Sequence, residues 1–402
     1  MFGVFTGMNR LNLVKRLLVL FAVLIPPLMY VADVYSIDVV WKVFSFHHEP
    51  SQFFSDVRTI PESVYYDENG VFNYPEIWVY IFMLMGYLHD PYVLFGFGQY
   101  IILLYIYQRV ISRISEIKPL LYVSAICFSP PVLLLLERGN NDGMVLVLCL
   151  VMTLSNSAFV RGVLVATAAG LKLFPIFSIF GAVGSKRIGF FVGFAVFSPL
   201  FIWALVEFDR INNNTPIGIT ASFGVKLMAK LSCFLVEKTA FFDSCHQEFF
   251  LVLYLMLFVL GVVILSYIKR REIDLFLLDL SLSERNSRVF FVFSGIFLGT
   301  LLLTGSWMYR LAFVLPILIV LVLGMGFPKN REKQVVFDVL VLGLFLFLSP
   351  MMFKVGLVLP QIFAYLLGMY LASIIVLHVK KQWPFLGFSR LRSFPKRRQH
   401  KP

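Results

Sequence analysis

The chain has 402 residues, of which 59% are hydrophobic and only 14% are charged, and its mean hydropathy is +0.83. A soluble domain carries about 25% charged residues, so this composition excludes a soluble globular protein. Apolar runs of bilayer-spanning length recur from end to end and predict an all-α polytopic membrane protein, with residues 1–402 forming a single integral membrane domain. The net charge of +12 does not indicate a nucleic-acid partner, because the basic residues cluster in short loops beside apolar runs, where cytoplasmic loops carry them.

The first predicted elements are a transmembrane helix over residues 17–35 and a polar segment over residues 36–75. Basic residues precede the helix, and positive charge favours the cytoplasm. We therefore expect the helix to lead outward and the polar segment to form a long first outer loop. The apolar region that follows, residues 76–107, is interrupted by His89-Asp90-Pro91, and the basic stretch at 109–118 favours one net crossing for it.

The next predicted element is a hairpin. Residues 120–136 lead outward, residues 143–154 return, and the turn between them reads Glu137-Arg138-Gly139-Asn140-Asn141-Asp142. An ionised side chain inside a bilayer costs roughly 2.5–3.5 kcal/mol on insertion scales, so a turn this polar must face water, headgroups or a polar ligand. A helix–helix turn capped by Asn or Asp is the structural alternative, but Arg138 beside two apolar runs favours a site.

A broken element follows the hairpin. Residues 163–173 and 175–183 are each too short to span a bilayer alone, so we expect them to meet in a break near Lys172 and Pro175. Broken or re-entrant helices at membrane depth line a cavity rather than face lipid. Snorkelling of Lys172 to the interface is the alternative explanation for its position.

The remaining elements bring the total to about twelve crossings with both ends in the cytoplasm, as span length and loop charge predict. Spans are predicted over residues 188–206, 249–268, 289–304, 311–327, 335–350 and 355–377, with a second large outer loop over 207–248, a cytoplasmic loop over 269–288, an outer turn over 305–310 and a basic cytoplasmic tail over 379–402. Cys233 and Cys245 share the second outer loop, and they form a disulfide if that loop faces an oxidising compartment.

This topology places polar clusters from distant parts of the sequence on the outer side of the membrane. They are the segment around Asp56, the turn at 137–142, Lys172, the loop at 212–230 and Tyr309-Arg310. Cations at headgroup level suit a phosphate, and arginine offers it a bidentate fork. A carboxylate beside them suits a general base that takes a proton from a hydroxyl. Asp67 is the rival to Asp56 but lies in a turn-like sequence, and a topological anchor is the alternative role of Arg310.

The order and spacing of these pieces resemble those of the GT-C superfamily of membrane glycosyltransferases. The chain looks closest to glycosyltransferase family 87-like polyprenol-phosphate-sugar transferases. The matching pieces are Phe54-Ser55-Asp56-Val57-Arg58, Asn73-Tyr74-Pro75, the turn at 137–142, Gly170-Leu171-Lys172-Leu173-Phe174-Pro175, and Tyr309-Arg310-Leu311 followed by Leu315-Pro316. Family members often have Tyr-Pro-Pro where this chain has Tyr74-Pro75-Glu76.

The resemblance implies a GT-C-like bundle that transfers a sugar, mannose-like in one reading, with inversion. The donor would be a polyprenyl-phosphate sugar and the acceptor a glycan or lipid, at the outer face of the bacterial cytoplasmic membrane. The implied roles are general base for Asp56, donor-phosphate binding for Lys172, Arg310 and Arg138, and sugar or acceptor binding for Tyr74, Asn140, Asn141, Asp142 and Tyr309. Many GT-C enzymes bind a divalent metal through carboxylates in the first and second outer loops, and Asp56 and Asp142 are the matching carboxylates here. The resemblance to family 87-like enzymes does not favour a metal, so no cofactor is expected.

Other functions fit the same topology. A flippase for lipid-linked oligosaccharides, or a transporter, would place polar groups near the membrane midplane with access from both sides, whereas these clusters collect on the outer side. A polysaccharide polymerase would carry arginine-rich outer loops, and the second outer loop here has only Arg210. A non-enzymatic assembly subunit would not depend on Asp56.

Overall fold

The computed structural model describes residues 7–34, 75–85, 91–138, 140–184, 187–210, 222–238, 246–303, 306–325, 334–348 and 358–382. The regular structure in these ranges is helical except for one antiparallel pair of short strands, β1 (Ser222–Phe223) and β2 (Ser306–Trp307). The α-helices are α1 (Gly7–Val34), α2 (Ile77–Met85), α3 (Pro91–Ser112), α4 (Ile117–Cys127), α5 (Pro130–Arg138), α6 (Asp142–Leu154), α7 (Ala158–Leu171), α8 (Ile179–Ala182), α9 (Arg187–Val206), α10 (Val225–Lys238), α11 (Gln247–Ile268), α12 (Arg270–Ser281), α13 (Glu284–Leu303), α14 (Leu315–Val320), α15 (Gln334–Leu348) and α16 (Leu359–Gln382). Two 3-10 helices, Phe174–Ser178 and Met308–Val314, and a π-helical turn, Leu321–Met325, complete the chain path.

Four helices, α9, α11, α13 and α16, are long and apolar enough to cross a membrane, and the bent pair α4 and α5 makes a fifth if it counts as one span. The molecule is therefore a predominantly helical membrane protein. Shorter apolar helices, among them α6, α7 and α15, lie beside these spans. Ten to seventeen residues are too few to cross the hydrocarbon layer upright, so the length of the described helices alone does not give the predicted count of twelve crossings.

The central element is α13. Its residues from Arg288 to Leu301 are all buried, and it packs against the 3-10 helix Phe174–Ser178 and against α8, α14 and α16. Helices α9 and α11 have the opposite character, because only 17% of the most apolar stretch of α9 and 11% of that of α11 is buried. Apolar residues that face outward in this number match a lipid environment rather than water, so these two helices lie at the lipid-facing edge of the bundle.

Glycines allow α7 and α9 to pack closely. A Cβ at Gly162 would lie 2.0 Å from the Phe190 carbonyl oxygen, and one at Gly193 would lie 2.1 Å from the Phe159 carbonyl oxygen. Both obstacles are backbone atoms, which cannot turn aside as a side chain can. Small residues that bring two helix backbones together are the usual means of helix association in lipid, where the hydrophobic effect gives no drive.

Two buried arginines hold the end of α6 that lies away from the polar turn. Arg288 donates to the carbonyl oxygens of Thr153 (3.2 Å) and Ser155 (2.7 Å), and Arg161 donates to the Ser155 carbonyl oxygen (3.1 Å). The last carbonyls of a helix have no intrahelical donors, and cations near that end are also favoured by the helix dipole. The arginines thus join α6, α7 and α13 at one end of the bundle.

Several predicted spans and loops differ from the structure. Where the sequence predicted one span over 120–136, there are two helices bent by 51°, because Pro130 and Pro131 supply no backbone donor to continue α4. The predicted cytoplasmic loop at 269–288 and the predicted second outer loop contain helices that the sequence analysis does not predict, the amphipathic α12 and α10 respectively. The predicted outer turn at 305–310 contains strand β2 and the start of a 3-10 helix.

Candidate functional site

The carboxylate of Asp142 is the centre of a buried charged cluster. Its Oδ2 accepts a hydrogen bond from Arg310 Nε at 2.9 Å, and its Oδ1 lies 3.5 Å from Lys172 Nζ. Asp142 is fully buried, and Lys172 and Arg310 are each only 7% exposed. The prediction that these three sequence clusters meet in space is therefore confirmed for Asp142, Lys172 and Arg310.

The turn between α5 and α6 supplies two amides to this cluster. Asn140 Oδ1 accepts a hydrogen bond from the Asp142 backbone N–H (2.8 Å), which fixes the first turn of α6. Asn141 is also fully buried, but within the described part of the chain neither its side-chain oxygen nor its nitrogen has a hydrogen-bond partner. Leaving such an atom buried and unpaired costs about 1–3 kcal/mol, so the Asn141 amide needs an explanation beyond packing.

Lys172 lies at the predicted break. Helix α7 ends at Leu171, Lys172 itself is extended, and the 3-10 helix Phe174–Ser178 begins after Leu173. The end of α7 is held by Trp78, which is 1% exposed and whose Nε1 donates to the Leu171 carbonyl oxygen at 3.0 Å. Trp78 follows closely on the Tyr-Pro tripeptide, so the start of α2 positions the residue just before Lys172.

Arg310 is positioned from two sides. It lies in the 3-10 helix Met308–Val314, directly after strand β2, and that strand pairs with β1 from the predicted second outer loop. Its guanidinium carbon lies 5.2 Å from the centre of the Phe174 ring, a distance at which a cation is attracted to an aromatic face. The break after α7 therefore contributes a cation, Lys172, and the ring that supports a second cation.

Sequence reasoning missed two polar residues, Gln99 and Glu207. Gln99 on α3 is buried, and its Oε1 approaches Gly143 so closely that a Cβ there would lie 2.0 Å away. The Nε2 of Gln99 has no hydrogen-bond partner among the described residues. Glu207 ties the start of α2 to the end of α9, since its Oε2 accepts from the Glu76 backbone N–H at 3.0 Å. The sequence signal that could have identified Gln99 is its position as a lone amide inside the apolar run of α3.

Several predicted site residues fall outside the described residues. Asp56 and Tyr74 do so entirely, and for Arg138 and Tyr309 only the backbone, at the end of α5 and in the 3-10 helix Met308–Val314, is described. Their predicted roles remain predictions.

The cysteines can be described in part. Cys233 is disulfide-bonded, and Cys127 and Cys149 are free thiols. Cys245 lies outside the described residues, so its predicted pairing with Cys233 remains a prediction.

Asp142 does not fit the ligand role that a divalent metal would require. Both of its oxygens face cations, Lys172 and Arg310, which would repel a metal ion held by the same carboxylate. Across the ranges described above, no group of three or more His, Cys, Asp or Glu side chains is placed to hold a metal ion.

Comparison with protein-family models, with curated proteins and with solved structures gives no match to this chain.

Proposed function

We propose that the protein is an inverting glycosyltransferase that moves a sugar from a polyprenyl-phosphate donor to a glycan or lipid acceptor. The observation that carries the proposal is the fully buried amide of Asn141, which has no hydrogen-bond partner among the described residues. It directly precedes Asp142, the carboxylate that two cations contact. Buried polar side chains are nearly always hydrogen-bonded, so such an amide in the same turn as the carboxylate between two cations favours a ligand with hydroxyl groups attached to a phosphate. A sugar phosphate has both.

The donor phosphate is assigned to Lys172 and Arg310. Arginine and lysine both bind phosphate oxygens, and a site closed off from water strengthens that attraction. Asp142 lies between the two cations and holds them at a fixed distance from one another. Because that carboxylate contacts two cations already, its role is to position them, and it is not the base that takes the acceptor proton.

The reaction follows from these roles. The acceptor hydroxyl oxygen attacks the anomeric carbon from the face opposite the phosphate, and its proton passes to the Asp56 carboxylate. The bond between the anomeric carbon and the phosphate oxygen breaks, and the electron pair leaves with the lipid phosphate. Negative charge grows on that phosphate, so Lys172 and Arg310 stabilise the transition state more than the ground state. Asn140, Asn141, Tyr74 and Tyr309 would bind sugar or acceptor hydroxyls, and Arg138 would assist at the phosphate.

The proposal includes a GT-C-like bundle of about twelve spans, counted from apolar length and loop charge, in the cytoplasmic membrane of a bacterium with the site on the outer side. The break at Lys172 and the bend between α4 and α5 support it, since interrupted helices at membrane depth belong beside cavities and sites. No cofactor is required, and the membrane lipids that surround the bundle also supply the donor.

The test is transfer of radiolabelled sugar from polyprenyl-phosphate donors to lipid and glycan acceptors by purified protein. Asp56→Asn keeps the size of the side chain and removes the base, so transfer should fall by about 10²-fold or more while donor binding persists. Asp67→Asn, a change of the same kind in the same segment, is the matched control and should leave transfer intact.

Equal activity of the wild type and Asp56→Asn would remove Asp56 as the base. Binding of polyprenyl lipid without transfer from any donor would refute the enzymatic proposal and favour a flippase or an assembly subunit.

A further inference from the structure

A large apolar cavity lies inside the bundle, between α1, α3, the α5–α6 hairpin and the segment from the 3-10 helix Met308–Val314 to the π-helical turn. Its volume is about 830 Å³, within the range of about 300–1,000 Å³ that ligand pockets occupy. Most of its wall is aliphatic, as Leu103, Leu133, Leu150 and Leu315 illustrate. A cavity with such walls takes up hydrocarbon more readily than water.

The two ends of the cavity differ in charge. At one end the wall contains Arg109, Arg113 and Arg285 together with the amide side chain of Asn286. The other end reaches Leu136, the last apolar residue of α5 before the polar turn at 137–142. No carboxylate lines the cavity along its described wall, so the arginine end presents positive charge without an acidic residue of its own.

The contacts described for Arg109 and Arg285 do not neutralise the positive charge at this end of the cavity. Arg109 Nε donates to Tyr105 Oη at 3.0 Å, a bond that uses one nitrogen of its guanidinium and leaves its charge unneutralised. The nearest acidic neighbour of Arg285 in sequence is Glu284, and that carboxylate is bonded to Arg288 at 2.7 Å. Three guanidiniums at the mouth of an apolar cavity match a ligand with a phosphate at one end and hydrocarbon behind it.

We propose that this cavity binds an anionic phospholipid, with its phosphate at Arg109, Arg113 and Arg285 and an acyl chain among the leucines. The site is separate from the sugar-donor site, because its cations lie at the opposite end of α6 from Asp142. The end of α6 beside the arginines is the one held by Arg288, and Thr153 and Leu154 line the cavity there. The bound lipid thus fills the cavity along α6, between the arginines and the polar turn.

The experiment uses the full chain in nanodiscs of phosphatidylcholine that contain phosphatidylglycerol with a photoreactive group on one acyl chain. After illumination, the labelled peptides are mapped by mass spectrometry. We expect labels at residues 130–154 and 312–324, removed by unlabelled phosphatidylglycerol but not by phosphatidylcholine. The triple variant R109Q/R113Q/R285Q should lower this labelling by about tenfold or more, since charged hydrogen bonds to the phosphate are lost.

The matched control is R16Q/R270Q/R271Q, which removes the same charge from residues outside the cavity wall and should keep the labelling. Leu150→Trp fills the cavity without changing charge and should also abolish the labels, which keeps the test decisive if the arginine variant fails to fold.

Three results would overturn the proposal: labels confined to the lipid-facing helix α11, equal loss of label in the cavity and control variants, or displacement by polyprenyl phosphate but not by phosphatidylglycerol.

Discussion

Replacing Asp142 with Asn removes the carboxylate that two buried cations share, and it should destabilise the protein strongly. At an effective dielectric constant of about 20, a pair of unit charges at the observed separations is worth about 5 kcal/mol before desolvation is subtracted. Mutations that leave a buried charge without its partner cost about 3–5 kcal/mol. We therefore expect Asp142→Asn to lower the free energy of unfolding by about 3–5 kcal/mol, a large part of the 5–15 kcal/mol typical of a folded domain.

The assay is equilibrium unfolding in mixed micelles titrated with a denaturing detergent. Asp279→Asn is the matched control, because Asp279 is exposed on α12, and a surface change of this kind stays within about 0.5 kcal/mol of wild type. A double variant with Lys172→Met should be less destabilised than the sum of the two single variants, by about 1–3 kcal/mol, because each single change leaves the other charge buried. A stability of Asp142→Asn equal to that of Asp279→Asn would show that the cluster is not held by these ion pairs.

Three further predictions concern the scaffold. Gly162→Ala puts a Cβ against the Phe190 carbonyl oxygen and should cost about 1–3 kcal/mol of unfolding free energy, whereas Gly98→Ala, with open space around it, should cost nothing. Arg288→Met removes two hydrogen bonds to backbone carbonyls, so detergent titration should show a loss of about 2 kcal/mol or more. Cys233→Ser removes a disulfide and should cost about 2–4 kcal/mol. If reducing agent lowers the melting temperature of Cys233→Ser as much as that of wild type, the last prediction fails.

The charged cluster was predictable from sequence because an ionised residue inside an apolar run is costly anywhere except at a site. Asp142, Lys172 and Arg310 each carry that signal on their own, so their meeting followed from topology. The partnership among them was not predictable: the sequence assigned Asp142 to the sugar or acceptor, yet its oxygens contact the two cations. Pairing depends on distances between helices that no local pattern encodes.

Residues that position other parts of the structure are harder to predict from the sequence. Trp78 looks like one more aromatic in an apolar helix, and only the structure reveals its bond to the end of α7. The sequence predicts a loop in place of α12, because the helix carries mixed charges along with its buried residues Ile273, Phe276, Leu277 and Leu280. The spacing of apolar residues along one face predicts an amphipathic helix. In this segment the many charged residues favour a loop instead, so the sequence pattern is ambiguous.

Two buried amides without a full set of hydrogen-bond partners among the described residues, Asn141 and Gln99, give the best measure of what the site binds. Asn141 lies beside Asp142 in sequence, and Gln99 reaches Gly143 from α3, so both amides flank the first turn of α6. A structural polar cluster would satisfy its own donors and acceptors, because each buried unpaired group costs about 1–3 kcal/mol. Two such groups at the helix turn that carries Asp142 favour a ligand whose binding offsets that cost. The ligand must then offer hydrogen-bonding groups next to an anion, and a sugar phosphate has hydroxyl groups next to a phosphate.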